Sequence, residues 1–206
     1  MGALLGFLPF VVFALAERSL GVVPGLAGAA LVSVALLLRE LMSARSRGER
    51  EINILEAGSA LLFGALTAWA LLAGTENWSV WRVRLWVDGG LMLVVLFGMA
   101  LRRPFTLPYA RRQVSAQVAA SPAFLRTNQI ISGAWALAFA VLSAADLLMV
   151  LRPQTPLQVG VGLTLAALAG AAWFTRWYPA RVRARAAALA ADSLSTSGQP
   201  TRKAET

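Results

Sequence analysis

The chain has 206 residues, of which 58% are hydrophobic and only 14% are charged. A soluble domain is usually about half apolar and about a quarter charged, so the composition indicates an integral membrane protein. Cysteine and histidine are both absent, which excludes disulfides, thiolate nucleophiles and metal sites built from these side chains. We therefore expect a non-enzymatic protein with no cofactor and no metal.

Six apolar stretches alternate with short polar gaps and predict an all-α bundle of about six transmembrane helices. The stretches are Leu4–Ala16, Val22–Leu38, Ile52–Ala73, Leu85–Leu101, Ile130–Leu151 and Leu157–Phe174. One helix through the first two would be about 52 Å long against a hydrocarbon core of about 30 Å, so a tight hairpin is expected around Glu17–Gly21. Phe13–Ala16 loosely fits a signal-peptide cleavage site, but no basic region precedes it, and we expect the segment to be retained as the first span.

The basic residues predict the orientation of the bundle. Fifteen of the nineteen follow the second, fourth and sixth stretches. Because cytoplasmic loops are enriched in Lys and Arg, both termini are predicted to be cytoplasmic, in a multi-pass protein of the bacterial inner membrane. The net charge of +9 is interpreted as this topology signal and as attraction to anionic lipid headgroups rather than as nucleic-acid binding. Residues 1–178 are predicted to form the bundle, and 179–206 a basic, partly disordered cytoplasmic tail.

Small residues recur at four-residue spacing in several stretches and predict close helix packing. In lipid, such faces let backbones approach and gain dispersion contacts. They either hold the bundle together or form a homodimer face. The residues concerned are Gly21, Gly25, Ala29, Ala60, Gly64, Ala68, Ala134, Ala138, Gly162, Ala166 and Gly170.

The stretch Arg102–Arg126 predicts a basic segment on the inner membrane surface. Pro104 and Pro108 are expected to end the preceding helix. From Leu107 to Val118 the apolar residues follow three- and four-residue steps, which predicts one short amphipathic helix in the interface. It is interpreted either as a basic connector or as a surface for lipids or partner membrane proteins. The arginines of that candidate surface are Arg102, Arg103, Arg111 and Arg112.

Acidic residues near the outer ends of the spans form the other candidate site. Glu17, Asp88 and Asp146 are predicted to lie at one level with Arg84 and Arg152. Arg84 and Asp88 are four residues apart on one helix and can pair there, and Asp146 is expected near Arg152. Charges inside a membrane are costly and seek partners, so the cluster is interpreted either as structural ion pairs or as a proton- or cation-coupled site.

Two sequence segments carry a resemblance to a known family. Leu4-Leu5-Gly6-Phe7-Leu8-Pro9-Phe10-Val11-Val12-Phe13 resembles the opening of the intracellular septation protein A family. Arg103-Pro104-Phe105-Thr106-Leu107-Pro108-Tyr109-Ala110-Arg111 is similar to a segment of related uncharacterised bacterial membrane proteins. The resemblance implies a small polytopic inner-membrane protein linked to the cell envelope and division, although that family has about five spans.

Two functions are therefore expected. The first is a non-enzymatic inner-membrane protein that organises the cell envelope or septation through its bundle and its basic inner face. The alternative is a small transporter that uses the outer acidic cluster.

Overall fold

The structure is a computed structural model, and it describes residues 6–46, 53–75 and 78–197. All regular structure in these ranges is helical. The helices are α1 (Leu8–Leu20), α2 (Val22–Ser46), α3 (Ile54–Ala73), α4 (Val80–Ala100), α5 (Leu107–Arg111), α6 (Ala116–Ala119), α7 (Pro122–Leu151) and α8 (Leu157–Ser197). Five of them, α2, α3, α4, α7 and α8, are long and apolar enough to cross a membrane. The predicted all-α membrane bundle is therefore confirmed.

The first predicted span differs in length from the other five. Helix α1 has 13 residues, which corresponds to about 20 Å and is shorter than a bilayer core of about 30 Å. The chain breaks after it as expected, because Gly21 has φ 97°, a conformation that costs glycine little. The predicted hairpin is therefore confirmed, and within residues 6–46, 53–75 and 78–197 five helices rather than six have the length of a full span.

Helix α1 packs in the middle of the other helices. It packs along α2, and the Phe10 ring lies 5.0 Å from that of Phe63 on α3. Phe7, the residue before α1, stacks on Trp135 of α7 with ring centroids 4.9 Å apart. The longer helices follow one another as neighbours in the order α2, α3, α4, α7 and α8. The short helix α1 thus contacts helices that are distant from one another in sequence.

The outer surface of the bundle is apolar. Large side chains such as Leu31, Leu61 and Leu72 are exposed there. In water such a surface would drive aggregation, whereas lipid tails solvate it. This agrees with a multi-pass membrane protein in contact with a bilayer.

Alternation of the helices gives the bundle two ends. We call the end near Gly21, Thr75, Ser79 and Arg152 the acidic end, because Glu17, Asp88 and Asp146 lie towards it. We call the opposite end, near Ser46, Asn53, Leu101 and Ser121, the basic end. Helix α8 continues from the acidic end through Tyr178, the predicted boundary of the bundle, to Ser197. The tail predicted from residue 179 is therefore helical as far as residue 197, and residues 198–206 lie outside the described part of the chain.

The predicted small-residue faces have mixed outcomes. A Cβ atom on Gly25 would lie 2.9 Å from the backbone nitrogen of Glu17, which confirms a close α1–α2 approach. By contrast, nothing lies within 4 Å of the corresponding position at Gly64, Gly162 or Gly170, so the prediction is wrong there for contacts within the described chain. The close approach of α3 to α4 uses Gly58 and Gly90, which face Val94 and Leu62 respectively.

The segment after α4 turns in a way that the sequence does not predict. The Arg103 N–H donates to the Gly98 carbonyl at 2.8 Å and the Arg102 N–H to Met99 at 3.0 Å, the pattern of a Schellman motif. Arg102 therefore has φ 56°, where glycine is usual and an L-residue pays roughly 1–2 kcal/mol.

The predicted single amphipathic helix over Leu107–Val118 is wrong. The chain forms α5 and α6 instead, because Ser115 is extended with ψ 156° and its side chain caps α6. Leu107 and Tyr109 are buried, whereas Val114 and Val118 are exposed. The segment is therefore anchored by its beginning and does not present one continuous apolar face.

Candidate functional site

An ion pair between α1 and α4 fixes the acidic end. Nη2 of Arg84 lies 3.1 Å from Oε1 of Glu17, and Nε of Arg84 donates to the same oxygen at 3.2 Å. The Glu17 side chain is only 4% exposed, and the Arg84 guanidinium also lies over the Trp81 ring, 5.5 Å from its centroid. The predicted pairing of Arg84 with Asp88 is therefore wrong, because the ion pair runs between helices.

Two aspartates face each other beside this ion pair. The carboxyl groups of Asp88 on α4 and Asp146 on α7 lie close to each other. Asp146 is 4% exposed, and apart from this contact its Oδ2 atom is buried without a partner among the described residues. Two carboxyl groups this close can share a proton, so the pair is a candidate proton-binding site.

Ser143 belongs to the same site. It precedes Asp146 by one helical turn, and a Cβ atom on Gly89 would lie 3.8 Å from its Oγ. This oxygen is buried and has no hydrogen-bond partner in the described chain. The sequence analysis missed Ser143, although its three-residue spacing from Asp146 places both side chains on one face of α7.

Arg152 does not join this cluster. It is the residue that caps the C-terminal end of α7, and it is exposed. Among the described residues no ion pair links it to Asp146, so that prediction is wrong. The reason is direction: Asp146 faces α4 inside the bundle, whereas the chain turns away from the helix axis at Arg152, with φ −130°.

The acidic site therefore joins Glu17, Arg84, Asp88 and Asp146, four of the five residues predicted to lie together. In the described part of the chain Arg84 pairs with Glu17 alone, and each aspartate lies within electrostatic range of both Glu17 and Arg84. Within the described residues, no group of three or more acidic side chains is placed to hold a metal ion. The neighbouring carboxyl groups make the cluster a candidate for binding and releasing a proton.

A second polar network lies at the basic end. The Asn53 side-chain amide donates to the Tyr109 hydroxyl at 2.7 Å, and that hydroxyl donates to Oε1 of Glu56 at 3.3 Å. Burial and then the negative charge of Glu56 raise the pKa of Tyr109, so its hydroxyl stays protonated and remains a donor. Glu56, in the first turn of α3, is thus bound to the loop by this tyrosine.

The predicted basic surface divides into two parts. Arg102, Arg103 and Arg111 line one cavity. Arg112 instead pairs with Glu40 on α2, with Nη2 and Oε1 2.7 Å apart. The structure thus brings three of the four predicted arginines together and uses the fourth to tie the loop to a spanning helix.

Comparison of the chain with protein-family models, with curated proteins and with solved structures found no match. The resemblance to the intracellular septation protein A family therefore stays a prediction, and the functional argument depends on the geometry of the site.

Proposed function

We propose that the chain is a small proton-linked transporter of the bacterial inner membrane, with both termini in the cytoplasm. The observation that carries this proposal is the facing pair of Asp88 and Asp146 inside a membrane bundle. Ionisable groups in membrane spans are rare, and they characteristically mark proton relays and substrate pathways. The function expected second from the sequence is thus moved to first place.

The energetics favour a functional role for the pair over a structural one. Arg84 already neutralises the charge of Glu17. This ion pair therefore leaves no second basic side chain to neutralise Asp88 or Asp146. Two carboxyl groups inside a bundle, Asp146 buried and Asp88 half-buried, stabilise it less than two well-packed apolar side chains would. Their presence there is understood if the protein uses the proton that they hold.

The pair also supplies a way for a proton to change the shape of the bundle. With one proton present, Asp88 and Asp146 hydrogen-bond and hold α4 against α7. Without it, two negative charges repel each other in a region of low dielectric constant, and water must enter to solvate them. Proton binding is thus expected to close the acidic end between α4 and α7, and proton release to open it.

The test compares two conservative variants with a matched control. Asp146→Asn and Asp88→Asn keep the shape of each side chain and remove the titratable group. Both should fold, as judged by yield and melting in detergent, yet fail to complement a deletion strain. Glu40→Gln neutralises a carboxylate at the basic end, where it pairs with the loop residue Arg112, and should retain function.

A direct measurement adds to the complementation test. Infrared difference spectra of the membrane-embedded protein should show a protonated carboxyl band that disappears on Asp146→Asn. If both aspartate variants complement the deletion and no protonated band is present, the transporter proposal fails.

A second candidate function is non-enzymatic organisation of the cell envelope or septum. It is favoured by the basic end, where Arg112 fixes the loop to Glu40 and three other arginines line one cavity. A scaffold would tolerate the aspartate substitutions, with only a modest loss of stability. Full complementation by folded Asp146→Asn protein would therefore support this function over transport.

A further inference from the structure

A cavity of about 400 Å³ lies at the basic end of the bundle. Its walls come from the start of α3, the turn after α4, helix α5 and the start of α7. Arg102, Arg103 and Arg111 line it together. Three arginines in the lining of one cavity suit an anion, and arginine in particular matches the oxygen pairs of a phosphate group.

The backbone at Arg102 supports a role in ligand binding. This residue occupies the left-handed position of the turn after α4, with φ 56°. Glycine would fit that position without strain. A strained non-glycine residue beside a cavity indicates that the side chain is needed, because the turn itself would be more stable without it.

Two further features of the cavity bear on the nature of the anion. The start of the 30-residue helix α7 forms part of the wall, and helix N-termini favour negative charge. The lining also includes the apolar side chains of Leu101, Phe105 and Leu125. Apolar and basic walls in one cavity fit an amphiphile better than a fully hydrated ion.

We propose that this cavity binds the phosphate headgroup of an anionic phospholipid. The shared chemistry is a phosphate group, and a membrane lipid is the source that the apolar wall and the position at the end of the spans favour. The proposal does not depend on the acidic site, so it stands or falls separately from proton-linked transport.

The test uses the purified full-length protein in detergent. Native mass spectrometry would count bound phosphatidylglycerol against bound phosphatidylcholine, and melting would be followed with each lipid added. The wild type should bind phosphatidylglycerol preferentially and melt higher in its presence. Arg102→Gly should lower that binding roughly fivefold, the scale of one basic residue near an anionic surface, and should melt no lower than the wild type in phosphatidylcholine.

Two further variants keep the result interpretable. Arg102→Asn gives a second neutral residue that tolerates the left-handed region, so that the test does not depend on one substitution. Arg126→Gln removes a charge from an exposed position on α7 outside the cavity and should bind phosphatidylglycerol as the wild type does.

Several results would overturn the proposal. They are equal binding of the two lipids by the wild type, unchanged phosphatidylglycerol binding in both Arg102 variants, and an equal loss in Arg126→Gln, which would indicate general charge attraction. Inorganic phosphate added alone forms the last arm. If it raises the melting temperature as much as the lipid does at the same phosphate concentration, the ligand is a soluble phosphate and the lipid assignment is wrong.

Discussion

Tyr109 shows how a single hydroxyl can hold two segments together at the basic end. It accepts from Asn53 and donates to Glu56, so α5 is joined to the first turn of α3. Asn53 also caps that helix by accepting from the Leu55 N–H at 3.1 Å. The tyrosine ring is buried. Replacing either of these hydrogen bonds with one to water would therefore cost free energy.

The first prediction concerns this hydroxyl. Tyr109→Phe should destabilise the protein by about 1–3 kcal/mol, because it leaves the Asn53 amide and the Glu56 carboxyl short of a buried partner. Oε2 of Glu56 already lacks one among the described residues. Melting in detergent is the measurement, and Tyr178→Phe is the control, since the ring of Tyr178 stacks on Phe174 and no hydrogen bond of its hydroxyl is described. Equal melting of the two variants would contradict the role given to Tyr109.

At the scale of helices, the contact between α1 and α2 depends on one glycine. The Gly25 backbone approaches Glu17 so closely that an added Cβ would lie 2.9 Å from its nitrogen and 3.0 Å from its Cα. Backbone atoms cannot move aside as a flexible side chain can. The same approach positions Glu17 for Arg84, so helix packing and the acidic site are coupled.

The second prediction tests this coupling. Gly25→Ala should destabilise the bundle by about 1–3 kcal/mol through overpacking, and it should weaken the Glu17–Arg84 pair. Gly64→Ala is the matched control, because nothing lies within 4 Å of its added Cβ and alanine is the better helix former by up to about 1 kcal/mol. Melting temperatures should fall for the first variant and stay level or rise for the second. A stable Gly25→Ala protein would show that α1 can shift away.

The long helices were predictable from the sequence because each long apolar run indicates the length and the two ends of one helix. The turn at Gly21 followed from length alone. The contacts between helices were not predictable, since small residues at Gly64 and Gly162 look the same in sequence as Gly25 although only Gly25 faces a neighbour. The level of Glu17, Asp88 and Asp146 along the bundle could be deduced from their positions near the ends of the apolar runs. The pairing of Glu17 with Arg84 could not be deduced, because it depends on where α1 packs.

The amphipathic segment shows a different limit. Residues 107–118 carry a helical pattern of apolar residues, yet Ser115 caps a new helix at its own position. A local hydrogen bond from a side chain to the backbone thus overrides a periodic pattern over so few residues. Tyr109, which anchors the segment, does not lie on the three- and four-residue steps of that pattern.

At the scale of the whole molecule, orientation in the membrane is the property to measure. Because the chain contains no cysteine, single cysteines can be labelled without background. Thr75→Cys and Thr155→Cys at the acidic end should react with an impermeant thiol reagent added outside the cell. Ser46→Cys and Ser115→Cys at the basic end should react only after the membrane is opened, since arginine-rich loops stay in the cytoplasm. The reverse pattern would contradict the predicted orientation and would place the lipid cavity in the outer leaflet.

The central position of α1 has a consequence for the biogenesis of the protein. A ribosome completes this helix before any of its partners, yet its contacts reach Arg84 and Trp135. Membrane helices insert first and associate afterwards. Until α4 emerges, the carboxyl group of Glu17 has no basic partner from that helix, and until α7 follows, the stacking surface for Phe7 is missing. The Glu17–Arg84 ion pair and the Phe7–Trp135 stack can therefore form only after α4 and α7 have been synthesised and inserted.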